Sequence, residues 1–520
     1  MTLKESMELA GRCLLAWLDP AHDHLPTGGW LVSHDTGRWW DAMLRLEAAT
    51  GFSIPGDLEG AMLRNLARLT DNPDRLLLVP REGAGGRAPM FELHSLREGM
   101  LACWSLCRYR SSAWAADLGH EMLETMERCL SPQGTWDLGR FRYPGYAGVE
   151  PPPRETPEAG GDMTASSGRC IEALVRFYET TGDPLALSLA SRFVEYHLRH
   201  SIEEDGSIPE HIRSPTNPGH THSYLGTLRG ILLYGMLTGE AEPARRVGRA
   251  YSVAVPSLVR ESGWAAHDLG KLRFPDATGN PVGENASTGD AAQLGLWLAT
   301  RSGFADGFAD VERLVRARLL PAQITPEDGV AEARRLGGWG VHGLPHARKG
   351  SILDVTAAVL HTLTDIWGAI CVATPQSIRV NLHVDYADDL IRMTHQQAPG
   401  AAGTATTVIR APDDRNLSVR VPRWVAPEEI RLSVNGRELE PRLIGGYALF
   451  WRARPPGRER AMRAVTIEYP LSSRETEERM PNGETYRFSW HGDEIAGVDP
   501  NPGPLPFYPS LPLLSRSDLR

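Results

Sequence analysis

Apolar residues recur every three or four positions through most of the first 370 residues, the spacing that lines them along one face of an α-helix. Leu3, Met7, Ala10, Leu14 and Leu18 follow it and predict a helix over 1–18. A Pro/Gly-punctuated segment from His22 leads into another predicted helix that ends near Gly51. The same rhythm predicts helices over 58–69, 93–108, 114–130, 167–180, 184–199, 223–238, 243–260, 290–302, 306–319 and 354–370. Short glycine-containing turns, T-G-D-P and S-G-F-A-D-G, separate pairs of them, a helical-hairpin pulse. Hairpins joined by alternately short and long loops predict a toroid of inner and outer helices, with a helical solenoid as the alternative. Residues 131–161, which hold three consecutive prolines and many glycines, read as one long loop.

After Pro375 the period drops from 3.6 to two. S-I-R-V-N-L-H-V-D-Y alternates, and so do later runs such as A-V-T-I-E-Y, separated by the turn sequences D-D-R-N, N-G, P-P-G-R and P-N-G-E. Evenly spaced short strands of this kind predict an antiparallel β-sandwich. Asn435-Gly436 predicts a hairpin, because both residues accept the positive φ of a type I′ turn. The Pro-rich tail beyond Asp499 is barred from a central strand and is expected to lie over the helical part. The expected protein is therefore mainly α with a β domain: a helical catalytic domain over 1–374, then a β-sandwich with its tail over 375–520.

A net charge of -10 argues against a nucleic-acid partner. The six cysteines sit in apolar runs without a C-x-x-C pair and read as small buried hydrophobes. The absence of an 18-residue apolar run argues against a membrane span. The amphipathic, partly acidic start lacks the basic segment and apolar core of a signal peptide, so a cytoplasmic protein with a small imported substrate is expected. Fourteen Trp and 17 His suit sugar binding, but a large helical core uses Trp as well.

Two polar loops carry the candidate chemistry. Residues 267–290 and 337–356 each run into a predicted helix, and each holds a carboxylate near the junction, Glu284 and Asp354. If both helices start at one rim, the two carboxylates face each other across a cleft, the usual machinery for breaking a glycosidic bond. Glu284 is then expected to be the general acid, its pKa raised by a partly apolar cleft, and Asp354 the nucleophile or base. Taken singly, Glu284 reads more readily as a solvated loop residue and Asp354 as a helix N-cap. Asp35, Trp40, His94, Arg97, His220, His222, His267, Trp339 and His342 cluster at helix or loop starts and are the expected sugar contacts. Asp35 also reads as an N-cap and Trp40 as core. His220 and His222 with His342 and His346 form a conceivable metal set, but Pro345 argues against the last two sharing a helix face, and no metal or cofactor is expected.

Several stretches resemble one family. S-S-G-R-C-I-E-A-L-V-R-F-Y-E-T-T-G-D, G-H-T-H-S-Y-L-G, G-E-N-A-S and V-R-V-P-R-W-V with its following V-N-G are similar to motifs of glycoside hydrolase family 127, the β-L-arabinofuranosidases and their relatives. The resemblance implies an (α/α)6 barrel followed by a β-sandwich and places the family's acid/base Glu on Glu284. It also shows departures. Family members hold zinc through that Glu and three cysteines, one of them the nucleophile. Here Ala286 stands in place of the first Cys, the later Cys pair falls on Asp354-Val355, and no Cys lies between Cys170 and Cys371. Thiolate zinc chemistry is therefore not expected. The reading that remains is a zinc-independent glycosidase, exo-acting on a small glycoside or oligosaccharide through Glu284 and Asp354. A homodimer stays open. The alternatives are a non-catalytic carbohydrate-binding relative and a polysaccharide lyase using Tyr224 beside His222.

Overall fold

Helices form where the apolar rhythm places them, and local signals end them. The structure is a computed structural model that describes all residues except 28, 30–31, 80–89, 92, 135, 138–139, 141–163, 214–218, 271–281, 303–306, 343–348, 399–402, 454–460, 502–505 and 512–520. The long loop expected at 131–161 falls mostly outside the described residues. The main helices are α1 (Leu3–Ala16), α2 (Val32–Thr50), α3 (Gly56–Leu69), α4 (Leu96–Arg110), α5 (Ala113–Cys129), α6 (Cys170–Thr181), α7 (Pro184–His200), α8 (Thr221–Thr238), α9 (Ala241–Val253), α10 (Asn285–Ser302), α11 (Gly307–Leu314) and α12 (Leu353–Ala369). A capping box between Thr2 and Glu5 opens α1. The T-G-D-P turn works as its residues dictate. Gly182 ends α6 at φ 74°, and the Asp183 side chain then accepts from Leu185 N to start α7 at Pro184.

The even-numbered helices touch in the order α2, α4, α6, α8, α10, α12, and α12 returns to α2, so their contacts close into a ring. A solenoid would leave the first and last open. The odd-numbered helices pack outside: α1 on α12 and α2, α5 on α4, α7 on α6, α9 on α8 and α11 on α10. Being covered on both sides explains why α2 is buried from Ser33 to Leu46 and α8 from Thr221 to Gly235. Among the described residues no helix is long and apolar enough to cross a membrane.

Close approach within the ring relies on glycine. A Cβ built on Gly37 of α2 would lie 2.3 Å from the Glu98 carbonyl oxygen of α4. Gly37→Ala is expected to force these helices apart at a cost of about 1–3 kcal/mol, read as a lowered urea midpoint with unchanged slope. An unchanged midpoint would show that the α2–α4 contact has slack.

Strands follow α12. One sheet orders Arg437–Leu439, Arg431–Val434, Met462–Pro470, Thr404–Pro412, Arg392–Ala398 and Tyr386–Ala387, all antiparallel. A second orders Leu443–Ile444, Tyr447–Phe450, Asn416–Arg420, Ser377–Val380 and Cys371–Ala373. In it Asn416–Arg420 runs parallel to Ser377–Val380, so the expected purely antiparallel arrangement is corrected to a mixed one. The chain between these two strands crosses into the first sheet before returning, and a crossover of that length permits parallel pairing. The Asn435-Gly436 turn has φ 52° and 79°, as the hairpin signal requires. In the tail, Phe507 and Tyr508 are buried. The Phe507 ring lies 5.2 Å from that of His342, and the Tyr508 hydroxyl donates to the Ala317 carbonyl just beyond α11.

Candidate active site

The starts of the ring helices converge, and polar side chains knot them together. Arg38 of α2 donates to the Asp354 carbonyl at the start of α12 (2.8 Å), to Glu98 in α4 (3.3 Å) and to His222 Nε2 in α8 (2.6 Å). Arg169, immediately before α6, donates to the same Glu98 oxygen at 2.9 Å. His222 then gives its Nδ1 proton to Asp290 of α10 at 2.5 Å. That tautomer follows because Nε2 is already accepting from Arg38.

Glu284 is placed by backbone pairing among loops, immediately before α10. Gly283–Glu284 pairs with Val341–His342, Glu284 N donates to the Ala265 carbonyl (3.0 Å), His267 N to Val282 (2.8 Å) and Thr221 N to His267 (2.9 Å). These bonds bring His220, His267 and Glu284 together from three separate segments. His220 Nε2 lies 2.8 Å from Glu284 Oε2, and the His220 and His267 rings stack at 4.2 Å. Two-residue strand pairs such as this one carry no readable alternation, which is why no strand is predicted before residue 375.

Burial pushes the Glu284 carboxyl up, but the charge and hydrogen bond of His220, helped by His267 and Arg38, outweigh it and hold the group at about 2. This reverses the expectation of a raised Glu284, because the cleft wall beside it is imidazole rather than apolar. His220 itself is taken down to about 4 by burial and by neighbouring His267, so at neutral pH it is an uncharged donor to an ionised carboxylate. Asp354 moves the other way. Burial raises it, Arg38 opposes, and the Glu284 charge raises it further. The Glu284 charge therefore acts on Asp354, and the two carboxyls are shifted in opposite directions.

Below this rim the inner helices turn charged residues toward the ring axis. Glu172 of α6 receives Arg229 (2.7 Å) and Arg176 (3.0 Å), and Asp365 of α12 receives Arg45 (2.8 Å) and Gln293 (2.5 Å). Asp41 is held by Arg45 (2.7 Å) and His361. A small cavity lies between the charged and imidazole groups of Arg38, Asp41, Arg97 and His222 and the apolar side chains of Leu101 and Ala357. Buried Asp290 is raised to about 6 by desolvation, with Arg229, Arg97 and Arg169 opposing.

The predicted contacts divide. His220, His222, His267 and Arg97 join the knot or its rim. Arg97 donates to Glu98 at 3.1 Å but is buried. Trp40 is fully buried edge-on to Trp39 at 5.2 Å, a core position rather than a sugar platform. Trp339 is buried and donates its indole N–H to the Leu319 carbonyl, fixing the loop that leads to Asp354. His342 packs between Arg318 and Phe507. Asp35 is fully buried beneath Gly29. The side chain of His94 and the whole of His346 lie outside the described residues. Sequence reasoning missed Arg169, Glu172, Arg229 and Asp290 as part of the site. The available signal was charged residues spaced by three, four or seven inside otherwise apolar helices, as in Arg38, Asp41 and Arg45 or Asp354, His361 and Asp365.

The residues present do not fit the zinc set that the resemblance implies. Ala286 and Val355 are buried carbon side chains, and Asp354 is a carboxylate.

The architecture is shared with solved proteins. A GH127 β-L-arabinofuranosidase from Geobacillus stearothermophilus T6 superposes with a TM-score of 0.56 at 13% identity, covering 95% of this chain and 80% of that one. A second GH127 β-arabinofuranosidase gives 0.57 at 14%, covering 94% and 79%, and a further glycoside hydrolase 0.55 at 14%, covering 93% and 80%. The chain thus has a GH127-like fold, one carried by glycoside hydrolases. No family model matches the sequence, and no curated protein matches it.

Proposed function

We propose that the chain is a glycoside hydrolase, exo-acting on a small glycoside or oligosaccharide, with Glu284 and Asp354 as its working carboxylates. Its scaffold is read as an (α/α)6 barrel over 1–374 followed by a β-sandwich with a Pro-rich tail over 375–520. The observation that carries the proposal is the opposed shift of the two carboxyls at the converging helix starts. Environments that push two carboxyls apart define an acid and a base. On this reading Asp354, kept protonated, gives its proton to the leaving oxygen, and ionised Glu284 acts as base or nucleophile. His220 holds Glu284 in place, and Arg38 braces the backbone of Asp354. The lyase alternative loses support because Tyr224 is fully buried and burial pushes its phenol up, away from a usable base.

The test is release of the aglycone from a panel of aryl glycosides, led by arabinofuranosides because the similar structures are named for them. Sugar binding without release from any member would favour the non-catalytic alternative. Where release occurs, the pH profile is expected to hold far into acid, since Glu284 keeps its charge down to about 2. It should fall on the alkaline side as Asp354 ionises above the ordinary carboxylate range. The stability signs are opposite. The lowered Glu284 contributes stability above the usual carboxylate pKa that is lost as pH falls through about 2. The raised Asp354 contributes stability at low pH that is lost as pH rises through its folded pKa. An alkaline limb left unmoved by Asp354→Glu would remove Asp354 from the acid role.

A further inference from the structure

We infer that His220, His267 and Glu284 form a binding site for a divalent transition-metal ion such as Zn2+, built from nitrogen and oxygen donors. One ligand atom from each residue lies within 4.8 Å of the others. Ligands around a tetrahedral zinc at 2.0–2.1 Å stand about 3.3 Å apart. The His220–Glu284 pair stands at 2.8 Å, inside that spacing. An ion there replaces the proton that His220 now shares with Glu284.

The surroundings are those of ligands rather than of incidental neighbours. Metal-bound imidazoles have their second nitrogen fixed by a carboxylate, carbonyl or hydroxyl, which sets the ring's orientation. His267 Nδ1 lies 2.8 Å from Asp268 Oδ1, and His220 Nδ1 lies 3.2 Å from Ser223 Oγ, so an ion would take Nε2 of each ring. The backbone bonds among the 220, 267 and 284 segments hold the three residues in register without metal. The side chains of His220 and His267 are 20% and 16% exposed, which gives an ion access, while Glu284 lies beneath at 4%. Two imidazoles and one carboxylate select zinc, cobalt, nickel or copper over magnesium or calcium. Three protein ligands leave a fourth position open to water or to a substrate oxygen. This set shares only Glu284 with the thiolate arrangement of the resembling family and needs no cysteine.

The site stands on this geometry alone. Under the two-carboxylate reading it has a consequence: an ion on Glu284 occupies the lone pair that the reaction uses, so metal and turnover compete. The full chain, stripped with a chelator and dialysed, should be titrated with Zn2+ against a chromophoric chelator, and with Co2+ for its visible absorption. One equivalent per chain is expected, with tetrahedral-type Co2+ bands. His267→Gln and Glu284→Gln should each lose most of the affinity, and Asp268→Asn should weaken it about 10–100-fold, with far-UV circular dichroism unchanged. No binding by the wild type, or undiminished binding by His267→Gln and Glu284→Gln, would overturn the site. A chain that binds zinc yet, stripped of metal, cleaves no glycoside would uphold the site and defeat the hydrolase reading. Cleavage without zinc binding would do the reverse.

Discussion

Glu284→Gln and Asp354→Asn are each expected to lower turnover about 10²–10⁴-fold with the fold intact. The expectation differs between the two in its physical origin. Burial and the Glu284 charge push the Asp354 carboxyl up, and on the proposed reading it is the proton donor; Asn copies its shape but has no proton to release to a leaving group. Little structural response should follow, and kcat should fall with substrate binding preserved. Glu284 is ionised and accepts from His220 at 2.8 Å. The Gln oxygen still accepts that bond, but the charge that would pull a proton from water or attack the sugar is gone. His220 should also become harder to protonate, because the neighbouring negative charge no longer favours its charged form. Initial rates on the best aryl glycoside, with circular dichroism and a melting curve for each variant, decide the matter. If either variant keeps most of its activity, the pair does not carry the reaction.

Glu98→Gln should give the largest loss of stability, about 3–5 kcal/mol. One oxygen of Glu98 is shared by Arg38 (3.3 Å), Arg97 (3.1 Å) and Arg169 (2.9 Å), and His34 stands at 3.4 Å. All of these groups are buried. Burial pushes the Glu98 carboxyl up, and the three guanidiniums, Arg169 first, pull it down further than burial raises it. The amide keeps the shape but leaves three like charges crowded in a place that water reaches poorly. Arg169 already shows the strain, with burial lowering it to about 9. Urea unfolding of the variant is the measurement, and the rate on a cleaved glycoside should drop as well because Arg38 also holds the Asp354 carbonyl. A loss under about 1 kcal/mol would mean that the remaining acidic groups of the axis absorb the charge.

Much of the architecture was legible because it rests on local rules. The T-G-D-P turn ends one helix and caps the next with its own residues, and Asn435-Gly436 makes its hairpin wherever it is placed. The change of period at Pro375 falls within a few residues of the end of the last helix, since α12 stops at Ala369 and the first strand of the two large sheets starts at Cys371. The site was legible only in part. Glu284 and Asp354 stand out as candidates in the sequence because they lie where polar loops meet apolar helices. Trp40 and Trp339 carried the same signature and proved to be core, because an aromatic residue at a helix start looks alike whether its ring faces a cleft or a neighbouring helix.

The chain's own pattern determined that helices come first and strands after, where most of them begin, and that thiolate chemistry has no ligands between Cys170 and Cys371. Closure of α12 onto α2, the parallel pairing of Asn416–Arg420 with Ser377–Val380, and the charged knot along the axis were decided only in three dimensions. So were the protonation preferences of the two carboxyls. A pKa depends on which charges and how much water lie within a few ångströms, and here those neighbours come from segments up to hundreds of residues apart. Periodicity reports which face of a helix is buried; it cannot report what that face meets.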